Sequence, residues 1–478
     1  MYNDDIYNKT NGFMLVKLFY GRNTYCLRWK ICSLFVIVIV ILGLHSRRNY
    51  CPETAMSIIK IVFLTICVIG CSSCSKSQQI TPLFHCTRLL DNPYGVVSHM
   101  NSIYRDYPLL EPELKILSDA MISNVRVGYG IDYSLSNVEN NPVYQRWDTM
   151  AIKMRDYQIS CIPIIYIGTQ NKHPWDFPDN YLTNILYLQK RFNRTPCYYE
   201  VMNEVNYVAK KGYIAIDSLA KLYTNCLSDT YLRLKKENSN AVILSSGLAG
   251  TADRFIEKLS ANHAYEYFDV LNIHAYHKPE ALPAMYKYIH KVMKEGEWQK
   301  PVWLTECGMS TYINRSLIKK KNINKIKQEN EKEQARRLPR IFLISFAYGV
   351  DKVMWYQLRS REESDYDMQE NYGILHSDLS PKPSFYAYKT LTGMCPSGST
   401  RPTLCIDDNL YYSTWAKPDG QKVLAIWSTS CQRNVEIKTK GLYYIVDYMG
   451  KKLRKSKKIH TSESLIYLVG ENEFMIER

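Results

Sequence analysis

The sequence lacks most of the signals that announce a chemistry outright. Its fourteen cysteines show neither metal-ligand spacing nor the dense pattern of a disulfide scaffold. No group of His and Asp falls where a metal-dependent barrel hydrolase would need its ligands. Glycine-rich phosphate loops are missing as well, Cys307-Gly308 being too little to make one. The formal charge of +15 comes without any nucleic-acid motif. Residues 1–70 hold +5 of it, and much of the rest lies in Lys319–Arg340, the pattern of a solvated helix face. These absences lead us to expect no metal, no cofactor and no nucleic-acid partner. Oligomeric state has no signature in the chain.

Two apolar runs open the sequence. Ile31–Leu44, flanked by Arg28, Lys30, Arg47 and Arg48, is short for a membrane span. The second starts at Met56, passes Lys60 and runs through Ile61–Gly70 to Cys71, which is the layout of a signal peptide. Val68-Ile69-Gly70-Cys71 resembles the lipobox of bacterial lipoproteins, in which the cysteine is lipidated. The expectation is therefore an upstream extension over 1–55, a signal peptide over 56–70 and a tether and lead-in over 71–90. Such a protein would be exported and held in the cell envelope by a lipid on Cys71.

From Asn92 to about Thr390 short apolar strands alternate with longer helical stretches, as parallel βα units do. Strands are expected at Gly95–His99, Asn124–Gly128, Cys161–Ile167, Cys197–Met202, Ala241–Ser246, Phe268–Ile273, Val302–Thr305 and Lys352–Tyr356. Helices are expected between them, including Asn180–Phe192. Eight such units in about three hundred residues match a (β/α)8 TIM barrel, placed at 91–392. Beyond Gly393 the pattern turns to alternation, with turns at Lys417-Pro418-Asp419-Gly420 and Tyr448-Met449-Gly450. Residues 393–478 thus read as a small antiparallel β-sandwich, completed by a strand from residues 80–90.

Two stretches carry the chemistry: Tyr198-Tyr199-Glu200-Val201-Met202-Asn203-Glu204 and Pro301-Val302-Trp303-Leu304-Thr305-Glu306. Each is an apolar or aromatic strand ending on a glutamate, a costly placement unless the acid sits at a cleft mouth with partners. Two carboxylates facing one substrate are what retaining glycoside hydrolysis requires. The other strand ends add His99, Arg126, Asn203, His274, Tyr276 and Trp355. The 39 Tyr and 8 Trp of the chain supply flat faces of the kind sugars stack on, although they also fill ordinary cores. Cys161, Cys197 and Cys307 read as small buried thiols, and alternation turns Cys307 away from Glu306.

With these residues in place, the chain resembles clan A of the glycoside hydrolases and is nearest in spacing to families 39 and 5. The resemblance rests on Asn203-Glu204, on Glu306, on Asp269-Val270 followed by His274 and Tyr276, on Gly349–Gln357, and on Tyr372-Gly373-Ile374-Leu375 with Ser380-Pro381-Lys382-Pro383. It spans almost the whole barrel. It implies a carbohydrate substrate, Glu204 as general acid/base and Glu306 as nucleophile. It further implies Asn203 on the 2-hydroxyl of the sugar, Arg126 and Tyr276 on the nucleophile, and Trp355 as the floor of the first subsite. His274 and His99 are expected to touch substrate. Val205 and Met202 depart from the family's usual proline and tryptophan, which leaves the family and the sugar open. The competing reading is a non-catalytic glycan-binding lipoprotein on a degenerate barrel, which would be expected to have lost at least one of these groups.

Overall fold

A computed structural model describes residues 78–100, 107–129, 142–165, 198–250, 254–318, 322–429 and 432–477. The leader, with the extension over 1–55, the signal peptide over 56–70 and Cys71, lies outside the described residues. So do the helix expected at Asn180–Phe192, the end of the third strand and Cys197. Among the described residues no helix is long and apolar enough to cross a membrane.

Eight parallel strands form the barrel: Tyr94–Ser98, Asn124–Tyr129, Ser160–Ile165, Tyr198–Val201, Val242–Leu244 continued by Leu248–Ala249, Leu271–Ala275, Val302–Cys307 and Lys352–Tyr356. We number them one to eight. Strand five is broken in the middle. Its first half pairs with strand four and its second half with strand six, so the two halves stand at opposite edges of the sheet. Parallel bridges Leu244–Val270 and Asn203–Gly247 span the break and close the ring. Strand six begins later than the sequence implies. The Asp269 carboxylate accepts the Ile243 N–H at 2.8 Å and so caps strand five rather than extending the ladder.

Helix formation follows the apolar spacing. Leu282–Glu295 buries Leu282, Met285, Tyr286, Ile289, Val292 and Met293, one stripe at three- and four-residue intervals, with Pro283 at its start. Ile323–Tyr348 is capped by the Asn322 side chain, which accepts the Asn324 N–H, and it ends on Gly349 at φ +97°. From Leu338 to Tyr348 that helix is buried on all sides. The β module covers the face that a barrel helix normally shows to water.

The module holds a seven-stranded antiparallel sheet and a three-stranded one. The large sheet is edged by Gln78–Ile80 paired with Thr403–Asp407, so the completing strand lies just ahead of the expected window. Leu424, Ile426, Val435, Ile437, Ile459 and Leu468 fill the space between the sheets. On the opposite face Trp415, Trp427 and Tyr467 join the core that also contains the barrel helices. Inside the barrel, Ile162, Leu244, Val270, Trp303 and Met354 form a separate plug.

Candidate active site

Consecutive residues of a regular strand point to opposite faces, yet this site uses neighbours in pairs. After strand four the chain passes through Met202 at φ +69° and Glu204 at φ +48°, left-handed torsions that are uncommon outside glycine. These turns let Asn203 and Glu204 both enter the cleft. The turn is pinned from below. Tyr223 donates to the Val201 carbonyl at 2.9 Å and accepts the Ser246 N–H, and Ser246 Oγ accepts the Val205 N–H at 3.1 Å. Asn206 exchanges two hydrogen bonds with the backbone of Ala249. In strand seven one additional residue is accommodated around Thr305, since Ile273 faces Leu304 while His274 faces Glu306. Such a bulge re-aims side chains, and Thr305 and Glu306 both reach into the site.

Arg126 is the hub. Its Nε and Nη2 donate to the two oxygens of Glu200 at 2.6 and 2.7 Å. Nη1 donates to Glu306 Oε1 at 2.5 Å, and Nη2 also to Asn203 Oδ1 at 2.6 Å. Tyr276 donates its hydroxyl to Glu306 Oε2 at 2.5 Å. His274 Nδ1 lies 2.9 Å from Glu204 Oε1 and 3.5 Å from Glu306 Oε2, while its Nε2 lies 3.2 Å from Thr305 Oγ1. Thr305 in turn donates to Asn272 Oδ1 at 2.5 Å.

Burial alone would push the Glu306 carboxyl up. The His274 ring, the Arg126 guanidinium and the Tyr276 hydroxyl outweigh it and hold that carboxyl below its usual value of 4.5. Burial and the Glu306 charge push the Tyr276 phenol well above its ordinary range, so it stays a donor. One donor atom each from Glu204, His274 and Glu306 lies within 4.8 Å of the other two. These three are the one group among the described residues whose donors converge enough for a metal ion. The Arg126 cation against Glu306 opposes a second positive charge there.

A sequence profile described as the glycosyl hydrolase catalytic core matches residues 147–385, a span that contains strands three to eight with Glu204 and Glu306. The chain belongs to this family. It is an enzyme, a glycoside hydrolase acting on O-glycosyl bonds. No curated protein sequence matches it. Among solved structures, a family 39 glycoside hydrolase from the gut symbiont Bacteroides cellulosilyticus WH2 is similar over 80% of this chain and 81% of its own, at 18% identity and a TM-score of 0.64. A family 39 β-xylosidase from Caulobacter crescentus is similar over 82% of this chain and 99% of its own, at 12% identity and 0.55. A family 51 α-L-arabinofuranosidase from Bifidobacterium longum covers 83% and 99%, at 10% identity and 0.53. At such identities the likeness concerns the fold: a TIM barrel with a β-sandwich module.

In this glycoside hydrolase six of the expected residues converge: Arg126, Asn203, Glu204, His274, Tyr276 and Glu306. His99 stands at the rim, its ring edge-to-face with Tyr356 at 6.3 Å. Trp355 does not join them. It is fully buried and belongs to the core between the strands and the outer helices. Met354, its neighbour, faces the barrel plug, and the residue on that same face toward the cleft is Tyr356. The Tyr356, Tyr276 and Tyr372 rings meet edge-to-face at 5.3 to 6.2 Å. The aromatic wall of the site is this tyrosine trio, which corrects the expectation of a Trp355 floor. Cys307 is buried with its thiol directed at the Met354 carbonyl, away from Glu306, whereas Cys161 is only half-buried.

Glu200, Thr305 and Gly247 escaped the sequence reading. Glu200 was visible as an acid inside an aromatic strand, four residues before Glu204. Nothing local marked Thr305 or Gly247.

Proposed function

We propose that this enzyme is a retaining glycoside hydrolase of clan A that cleaves its substrate by double displacement. The observation that carries the reading is the proximity of the Glu204 and Glu306 oxygens, within 4.8 Å. Retaining pairs stand about 5–5.5 Å apart, whereas inverting pairs leave about 6.5–9.5 Å for a water. In a pair this close Glu306 itself attacks the anomeric carbon while Glu204 protonates the departing oxygen. The glycosyl–Glu306 ester then forms, and Glu204 takes a proton from the water that hydrolyses it.

The surroundings support these roles. A carboxyl held below its usual range is ionised, as a nucleophile must be. Asn203 gives its oxygen to Arg126, which leaves its amide N–H groups for the sugar 2-hydroxyl. Tyr356 and Tyr372 offer faces for the sugar ring, His99 lies beside Tyr356, and His274, with both ring nitrogens engaged, orients Glu204.

The structurally similar enzymes are named for xylosides, arabinofuranosides and, in one case, a β-1,6-glucan. A screen therefore begins with aryl xylosides, arabinofuranosides and glucosides. On a substrate that is turned over, proton NMR should show the retained anomer first. Glu306→Ala should be inactive, with azide restoring turnover to an inverted glycosyl azide. Glu204→Ala should spare dinitrophenyl glycosides, whose leaving group needs no proton. An inverted first product from the unmutated enzyme overturns the reading. Lipid attachment at Cys71 belongs to the same proposal. An alkyne-tagged fatty acid should label the wild type, and equal labelling of Cys71→Ala counts against it.

A further inference from the structure

Glu200 is a buried acid that double displacement does not use. It lies in the middle of strand four, with no exposed surface. A carboxylate there is tolerated only if its oxygens are occupied. Oε2 accepts from Arg126 Nε; Oε1 accepts from Arg126 Nη2 and from the Gly247 N–H at 3.2 Å. The Tyr223 phenol, itself fully buried, is a further titratable neighbour.

A guanidinium is planar, so a two-toothed carboxylate on Nε and Nη2 fixes the plane and thereby the direction of Nη1. In this enzyme Nη1 is the nitrogen that meets Glu306. The single positive charge of Arg126 thus stands between two carboxylates, one sealed in the strand and one lining the cleft.

We propose that Glu200 is a positioning residue that acts on Glu306 through Arg126, fixing the guanidinium's orientation and sharing its charge. Arg126, His274 and Tyr276 still hold Glu306 ionised, and the divided charge keeps Glu306 from being locked in an exclusive ion pair. The distinction matters because the Glu306 charge disappears as the glycosyl ester forms. A cation that gripped that charge alone would stabilise the ground state more than the transition state and slow the attack. The inference rests on Glu306 being the nucleophile.

The test is the titration of Glu306 in the full chain labelled with carboxyl-13C glutamate, its resonance assigned by loss in Glu306→Gln. The groups facing Glu306 are Arg126, His274, Tyr276 and Glu204, with Tyr356 and Tyr372 behind them. All are unchanged in the variants. Glu200→Gln keeps the shape and removes the charge, so the Glu306 midpoint should fall by about one pH unit. With an aryl glycoside that the wild type turns over, kcat should fall about tenfold while KM changes little. Glu200→Asp keeps the charge one methylene farther away and should give a smaller shift in the same direction. A Glu306 midpoint that is unchanged or raised in Glu200→Gln overturns the proposal. Should that variant not fold, an unchanged or raised midpoint in Glu200→Asp overturns it equally. The titration needs no turnover, so an active Glu306→Ala would remove the nucleophile reading and leave this measurement standing.

Discussion

Replacing Gly247 by alanine puts a methyl carbon 2.0 Å from His274 Nε2, and 2.6 and 2.7 Å from the two flanking ring carbons. Ordinary contact begins near 3.4 Å, so the ring or the strand must retreat by about 1.4 Å, far beyond what a close-packed interior absorbs freely. The backbone of Gly247 is not in the left-handed region, so the requirement is for space alone. His274 has little freedom to yield. It is buried and held at Nδ1 by Glu204 and at Nε2 by Thr305. Gly247 also donates to Glu200 and accepts the Glu204 N–H at 3.0 Å, so a moving strand carries both acids with it. Overpacking of this kind costs about 1–3 kcal/mol of stability. A misplacement of about 1 Å at a reacting group costs about a hundredfold in rate, roughly 2.7 kcal/mol of barrier. Urea unfolding and kcat on an aryl glycoside measure the two effects separately. Adding His274→Ala makes room for the methyl, so the double variant should be no less stable than His274→Ala alone. Wild-type kcat and stability in Gly247→Ala would refute the steric argument.

Tyr356→Ala should lower kcat/KM on aryl glycosides ten- to a hundredfold with a small loss of stability, because it removes a wall of the cleft. Trp355→Ala should cost about 3–5 kcal/mol in urea unfolding and leave kcat/KM per folded molecule nearly intact; the reverse pattern would return Trp355 to the subsite. Lys352 is buried against the Asp91 and Asn92 carbonyls, and burial holds its ammonium at about 8 instead of 10.5. Its charged form therefore costs stability in full below pH 8, and that cost fades as the pH rises from 8 to 10.5. Relative to Lys352→Met, the wild type should gain on the order of 3 kcal/mol across that window, read from urea unfolding at each pH. A constant difference between the two would show that Lys352 titrates normally.

The order of strands and helices was legible in the chain because helix amphipathicity and strand length are local. The Leu282–Glu295 stripe and the runs ending at Glu204 and Glu306 needed only their own residues to be read. The acids at strand ends were legible for a similar reason: an ionisable group closing an apolar run has to reach solvent or a partner. Which neighbour of a pair faces the cleft was not. Parallel barrel strands are covered on both faces, so both parities are apolar and the period-two signal disappears; Trp355 and Tyr356 look alike until Met354 is seen in the plug. Three departures from regular strands also lay beyond local reading: the break in strand five, the extra residue around Thr305, and the left-handed turns at Met202 and Glu204. Each is set by partners distant in sequence. The pairing of Glu200 with Arg126 joins residues 74 apart, and the need for glycine at 247 comes from a ring 27 positions later. The residue pattern determined the barrel and its two acids; the charge sharing, the tyrosine wall and the clearance at Gly247 exist only once the strands close into a ring.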